Sequence, residues 1–248
     1  MTGRRELTPS DVRGLVFEAL DVIADAQSKL QLPICPHLEE TRERLRGGEF
    51  RAEPFIADRG GPYDMDHGAF EPPSTIILDS SLPFCDWPLS IPEFPEALAR
   101  YCATHEVIHA DDHTGGDRLL RETRGHILRE HGDKLESGMF IIEAEGGGDS
   151  IRSWEELAEL WANQYVDMVT HYRSYVALRH RRLPKLDYIW AGLNKDFFPP
   201  NLLTRIERQR GVEYVFDVIE RRAGSYCLID ALREFESIGE RSAYRYTV

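Results

Sequence analysis

The sequence predicts an α+β fold with short strands and long helices. Residues 75–79, Thr-Ile-Ile-Leu-Asp, form a continuous run of strand length that is typical of a buried strand. Residues 94–109 carry a proline suited to a first helical turn and then apolar side chains at helical spacing. A third segment, from Ser153 to about Arg182, has the same spacing after a helix-capping sequence.

The composition excludes several classes of protein. Of the 248 residues, 42% are hydrophobic and 29% are charged, and the net charge of −13 argues against nucleic acid as a partner. No segment approaches the roughly 20 apolar residues that span a bilayer, and residues 1–6 lack the apolar core of a signal peptide. The four cysteines form no Cys-x-x-Cys pair, so neither a disulfide framework nor a cysteine zinc site is indicated. We therefore expect a cytoplasmic protein without a membrane partner.

The N-terminal part is predicted to contain two helices and one strand. Thr8-Pro9-Ser10-Asp11 is a helix start, and the apolar stripe after it predicts a helix to about Leu30. Residues 39–46 predict a short, charged, exposed helix that two glycines end. Alternation predicts a strand at residues 50–57, and the Gly, Pro and Asp content of residues 58–73 predicts a loop.

The motif His105-Glu106-Val107-Ile108-His109 lies on the second predicted helix and indicates a metal site. Two histidines four residues apart fall on one helical face about a turn apart, where both imidazoles can hold one ion. A Zn²⁺ ion with three protein ligands and an open position lowers the pKa of its bound water to about 7. Glu106 can then accept the remaining proton as a general base, which is the chemistry of a zinc-dependent hydrolase.

The third metal ligand is expected on the long helix that opens at Ser153. Glu159 lies a full turn inside this helix among apolar residues, where a carboxylate without a partner would be costly, and a metal ion would be that partner. Asn163, four residues further on the same face, could orient a ligand through a hydrogen bond. Glu155 and His113 are the alternative ligands, although His113 lies about 12 Å along the helix axis from His105.

The remaining segments are predicted to extend this core. A charged helix covers residues 117–132, a strand covers residues 139–142, and three helices are expected near residues 202–208, 212–222 and 226–238. We expect a catalytic domain with the N-terminal helices at residues 1–183 and a C-terminal helical extension at residues 184–248. One continuous domain is the alternative.

The motifs together resemble the zincin metallopeptidases, most closely those of the ImmA/IrrE type. In that type a strand like residues 76–79 precedes an H-E-x-x-H helix, often with a further histidine where His113 stands. A later helix carries E-x-x-A-N followed by an aromatic residue, which Glu159-Leu160-Trp161-Ala162-Asn163-Gln164-Tyr165 matches. The resemblance covers about residues 75–169. The chain differs in the long interval between the motifs, in the acidic residues after His109, and in showing no N-terminal helix-turn-helix pattern.

The resemblance implies a zincin-like core, a small mixed sheet with an active-site helix and a ligand helix, flanked by additional N- and C-terminal helices. It implies that His105, His109 and Glu159 bind Zn²⁺ and that Glu106 is the general base in the hydrolysis of a protein or peptide substrate. It also implies that the strand ending near Leu78 pairs with an extended substrate.

Two other interpretations remain open from the sequence. In a catalytically silent interaction protein with the zincin scaffold, zinc would only join two helices. In a carboxylate-bridged di-iron protein, Glu106 and His109 would form one Glu-x-x-His unit, but such a site needs a second unit, and the sequence offers none.

Overall fold

The structure, a computed structural model, describes residues 6–55, 68–82, 93–135, 154–193 and 201–221. In chain order the elements are α1 (Pro9–Leu30), α2 (Leu38–Gly47), β1 (Arg51–Phe55), β2 (Gly68–Glu71), β3 (Thr75–Asp79), α3 (Phe94–Thr114), α4 (Arg118–Leu135), α5 (Trp154–His180), α6 (Leu186–Leu193), α7 (Asn201–Arg210) and α8 (Val212–Arg221). None of the described helices combines the length and the apolar composition needed to cross a membrane.

The three strands form one mixed sheet in the order β1-β3-β2. β3 is the central strand, since it pairs in parallel with β1 and antiparallel with β2. Its side chains Ile76 and Leu78 are fully buried, as expected for an apolar strand with a neighbour on each side. The α+β class with a small mixed sheet is therefore confirmed. The prediction of a loop over residues 58–73 was wrong for Gly68–Glu71, which forms β2.

Helix α1 follows the prediction closely. The side chain of Thr8 accepts a hydrogen bond from the backbone of Asp11, while the Asp11 carboxylate accepts one from the Thr8 backbone, so two N–H groups at the helix start are satisfied. Val16, Leu20 and Ile23 lie on its buried stripe, and the helix packs against α3 and β1. α1 therefore covers one side of the sheet and of the helix that carries the motif.

Helix α3, which carries the motif, is buried along most of its length. Pro95 lies in its first turn, and nearly every side chain from Ala97 to Ile108 is shielded from solvent. The helix contacts α1, α2, β2 and β3. A helix that is covered on several sides holds its side chains in fixed positions, which is what a ligand-bearing helix needs.

The chain divides into two compact units, one of Met1–Arg118 with Thr170–Asp196 and one of Leu119–Val169 with Phe197–Val248. The predicted domain boundary at residue 183 falls inside the first unit, next to α6, a helix that we did not predict. α7 and α8 were predicted. The predicted strand at residues 139–142 and the predicted helix at residues 226–238 lie outside the described residues.

Because one face of α1 is buried, shortening two neighbouring side chains of this helix should lower the free energy of unfolding by different amounts. Ile23→Ala removes a fully buried side chain and should lower the free energy of unfolding by about 2–5 kcal/mol. Val22→Ala, at a partly exposed position of the same helix, should lower it by about 1 kcal/mol or less. Urea denaturation followed by circular dichroism measures both. Equal losses would contradict the packing of α1.

Candidate metal centre

The imidazoles of His105 and His109 converge. Their Nε2 atoms lie 3.1 Å apart, and their rings meet edge to face with centroids 4.7 Å apart. Two nitrogens at about 2.0–2.1 Å from one zinc ion with a tetrahedral angle are separated by about 3.3 Å, so the observed spacing suits one shared ion. His105 is 7% exposed, and His109 is partly exposed, so one residue is shielded from solvent and the other is partly accessible to it.

Glu106 is 4% exposed and lies against the start of β2. A Cβ atom at Gly68 would come within 3.2 Å of both Cγ and Oε1 of Glu106 and within 3.1 Å of Cδ2 of Leu78. Because such contacts are tighter than ordinary packing, the backbone of β2 approaches the carboxylate closely only with glycine at this position. The sheet therefore supports the glutamate of the motif.

Helix α5 brings two further donors to the motif, His171 and Asp167, which are one turn apart on its surface. One ligand atom from each of His105, Asp167 and His171 lies within 4.8 Å of the others, so this group could hold a metal ion. The ring of His171 lies 4.1 Å from the ring of His105, centroid to centroid. Imidazoles and a carboxylate bind zinc well, and iron also accepts such a set, so the donors alone do not select the metal.

Glu159, which the sequence favoured as third ligand, has a different partner. Its carboxylate forms an ion pair with Arg124 at 2.6 Å, and its side chain is 45% exposed. The premise that this carboxylate is buried and needs a metal was wrong, because an arginine on α4 supplies the opposite charge. Glu159 also stands twelve residues before His171 on α5, which is about 18 Å along a helix axis.

The other sequence candidates are not brought to this group either. Asn163 and Glu155 are exposed on α5. Nδ1 of His113 is hydrogen-bonded to the carboxylate of Asp117 at 2.9 Å, and the ring of His113 packs against Phe70 on β2. We therefore find no structural support for these three residues as ligands or as groups that orient one.

Two acidic residues after His109 connect α3 to its neighbours. Asp112 accepts a hydrogen bond from Nη1 of Arg173 on α5 at 2.9 Å, and this arginine is only 2% exposed. Asp111 accepts hydrogen bonds from the Thr41 hydroxyl and the His37 backbone of the α2 region. Burial raises the pKa of Asp111 to about 7, and the negative charge of Asp112 contributes to the rise. These contacts hold α3 in place just beyond the motif.

His171 and Asp167 were missed because sequence spacing alone does not select the turn of α5 that faces the motif. The capping box and the E-x-x-A-N pattern both lie in the first turns of α5, which has 27 residues, so the third ligand was predicted there. The useful signal was the pair itself, an aspartate four residues before a histidine on one face.

Comparison with protein-family models, with curated proteins and with solved structures finds no significant match for this chain. The interpretation of the site therefore rests on its residues and their geometry.

The geometry predicts which substitutions weaken metal binding. His109→Ala and His171→Ala should each lower the affinity for Zn²⁺ by more than about 100-fold, because loss of a residue that merely orients a ligand already costs about 10–100-fold. Glu159→Gln, on the same helix as His171, should bind zinc as the wild type does. Zinc titration against a chromogenic chelator measures all three. If Glu159→Gln bound zinc more weakly while His171→Ala bound it normally, Glu159 would be the third ligand, as the sequence predicted.

Proposed function

We propose that this chain is a zinc-dependent metallopeptidase in which His105, His109 and a donor from α5 hold Zn²⁺ and Glu106 is the general base. The observation that carries the proposal is the 3.1 Å approach of the two Nε2 atoms on α3, with a buried glutamate between the two histidines in the sequence. One zinc ion shared by the two imidazoles would account for this spacing.

The third protein ligand in this proposal is His171, with Asp167 as the alternative from the same helix. A catalytic zinc site keeps three protein ligands and one open position, so only one of the two α5 donors would bind at a time. The proximity of the His171 and His105 rings supports the choice of the histidine.

When bound, zinc would polarise the scissile carbonyl group and lower the pKa of a water molecule. Glu106 would accept the proton of that water as its oxygen attacks the peptide carbonyl carbon. As the C–N bond breaks, Glu106 would return the proton to the departing amine, which restores the carboxylate. Gly68 supports this role because its backbone packs on the side chain of Glu106 and limits the positions that the carboxylate can adopt.

The proposed substrate is an extended protein or peptide segment rather than nucleic acid. The expectation that it pairs with the strand ending near Leu78 was wrong, because β3 is paired on both sides. Within the described sheet, β2 is an edge strand, and its first residue, Gly68, lies against Glu106. We therefore propose that the outer edge of β2 binds the substrate backbone. A net charge of −13 favours a basic substrate surface.

We also propose a cytoplasmic location. The buried thiols of Cys35 and Cys102 fit a reducing compartment. Burial raises the pKa of the Cys35 thiol well above its usual range, which keeps this group protonated and unreactive.

One observation favours a second candidate, a protein of the same scaffold in which zinc only joins α3 to α5. The group whose ligand atoms lie within 4.8 Å of one another consists of His105, Asp167 and His171, which joins α3 to α5 without drawing on His109. In such a protein Glu106 would have no proton to accept. A zinc-loaded wild type that cleaves no peptide of a diverse library would support this second candidate.

Because Glu106 is proposed to accept a proton and not to bind zinc, replacing it should reduce turnover without reducing zinc binding. Glu106→Gln should still bind one zinc per chain but cleave a peptide library at least about 100-fold more slowly, because the amide cannot accept the proton. Glu96→Gln, an exposed position of the same helix whose carboxylate pairs with Arg100, is the matched control and should retain full activity. Turnover in Glu106→Gln equal to that of the wild type would refute the mechanism.

A further inference from the structure

Tyr101 stands one turn before His105 on α3 and is 3% exposed. Its hydroxyl oxygen lies 2.8 Å from Nδ1 of His171 on α5. This hydrogen bond is partly buried and joins the motif helix to the helix that carries the additional donors. The proposed chemistry does not use Tyr101, although it contacts the site.

The rings around this hydrogen bond are stacked. The ring of Tyr101 is inclined by 17° to that of His171 and by 21° to that of His105, with centroids 6.0 and 6.4 Å apart. The two imidazoles lie closer to each other, with centroids 4.1 Å apart. Tyr101 therefore restricts His171 in two ways, by the hydrogen bond to Nδ1 and by the stacking of the two rings.

A histidine ligand presents one nitrogen to the metal, and the partner of its other nitrogen sets which nitrogen carries the proton. With Nδ1 held by the phenol oxygen, two arrangements are available. If Nδ1–H donates to Tyr101, the lone pair of Nε2 is directed to the metal. If Tyr101 donates to Nδ1 instead, Nε2 carries a proton and cannot be a ligand.

We propose that Tyr101 is a positioning residue that accepts a hydrogen bond from Nδ1–H of His171 and thereby presents Nε2 of this histidine to the metal. The inference rests on the proposed function in that it takes His171 as a metal ligand. It adds that the motif helix supplies the group that orients the third ligand, so that Tyr101, His105 and His109 act from successive turns of one helical face.

The first test compares the full-length wild type with Tyr101→Phe and with the control Tyr175→Phe, which removes a hydroxyl one turn after His171 while keeping the ring that stacks on Trp190. Co²⁺ is the probe, because its visible absorption reports the ligand geometry. Tyr101→Phe should weaken Co²⁺ binding about 10–100-fold and change the absorption bands, whereas Tyr175→Phe should match the wild type. A Tyr101→Phe protein with wild-type affinity and spectrum would overturn the proposal.

A double-mutant cycle with His171→Gln tests whether Tyr101 acts through this histidine. The Tyr101→Phe change should have no further effect on Co²⁺ affinity in the His171→Gln background. An equal loss in both backgrounds would show a structural role and overturn the proposal. A wild type that binds no Co²⁺ or Zn²⁺ would overturn the proposed function as well, so the two failures are distinguishable.

A third measurement needs no substitution at Tyr101. In zinc-loaded wild type labelled with ¹⁵N-histidine, long-range proton–nitrogen spectra report which nitrogen of each imidazole carries the proton, with His171→Gln assigning the signal. The proposal requires the proton of His171 on Nδ1. A proton on Nε2 would contradict it even if the Tyr101→Phe variant proved too unstable to study.

Discussion

The convergence of imidazoles from α3 and α5 is the interaction on which the rest of the site depends. His105 and His109 approach each other because they are one helical turn apart, and the ring of His171, on a second helix, lies against the ring of His105. Of these three imidazoles, His105 is buried, whereas His109 and His171 are partly exposed. We interpret the cluster as a candidate metal centre because ligand atoms of His105, Asp167 and His171 lie within 4.8 Å of one another.

Contacts on both sides of the motif fix the position of α3 relative to α5 and to the region of α2. Tyr101 contacts His171 on the motif side, and the buried Arg173 binds Asp112 one turn beyond the motif. Asp111 connects the same turn to the region of α2. A centre that must hold several donors within a few tenths of an ångström needs such supporting contacts, since the ligands alone cannot fix the separation of two helices. The contacts lie immediately before and after the motif.

Local signals in the sequence predicted much of the fold and one member of the candidate metal-binding group, His105. The capping box at Thr8, the apolar run of β3 and the spacing of His105 and His109 depend on residues within one or two turns, and each prediction agrees with the structure. The failures came from partners distant in the chain. Glu159 was expected to need a metal, but Arg124 supplies its counter-charge, and nothing in the local spacing along α5 indicated that His171 faces the motif. β2 was missed because four residues give too little alternation to recognise.

The central claim is that one zinc ion binds where the histidines of α3 and α5 converge. A crystal grown with Zn²⁺, with diffraction recorded on both sides of the zinc absorption edge, tests it most directly. The account predicts one strong anomalous peak about 2.0–2.1 Å from Nε2 of both His105 and His109, with its third protein contact from His171 or Asp167. A zinc peak elsewhere, or no peak near two imidazoles that point away from each other, would contradict the account.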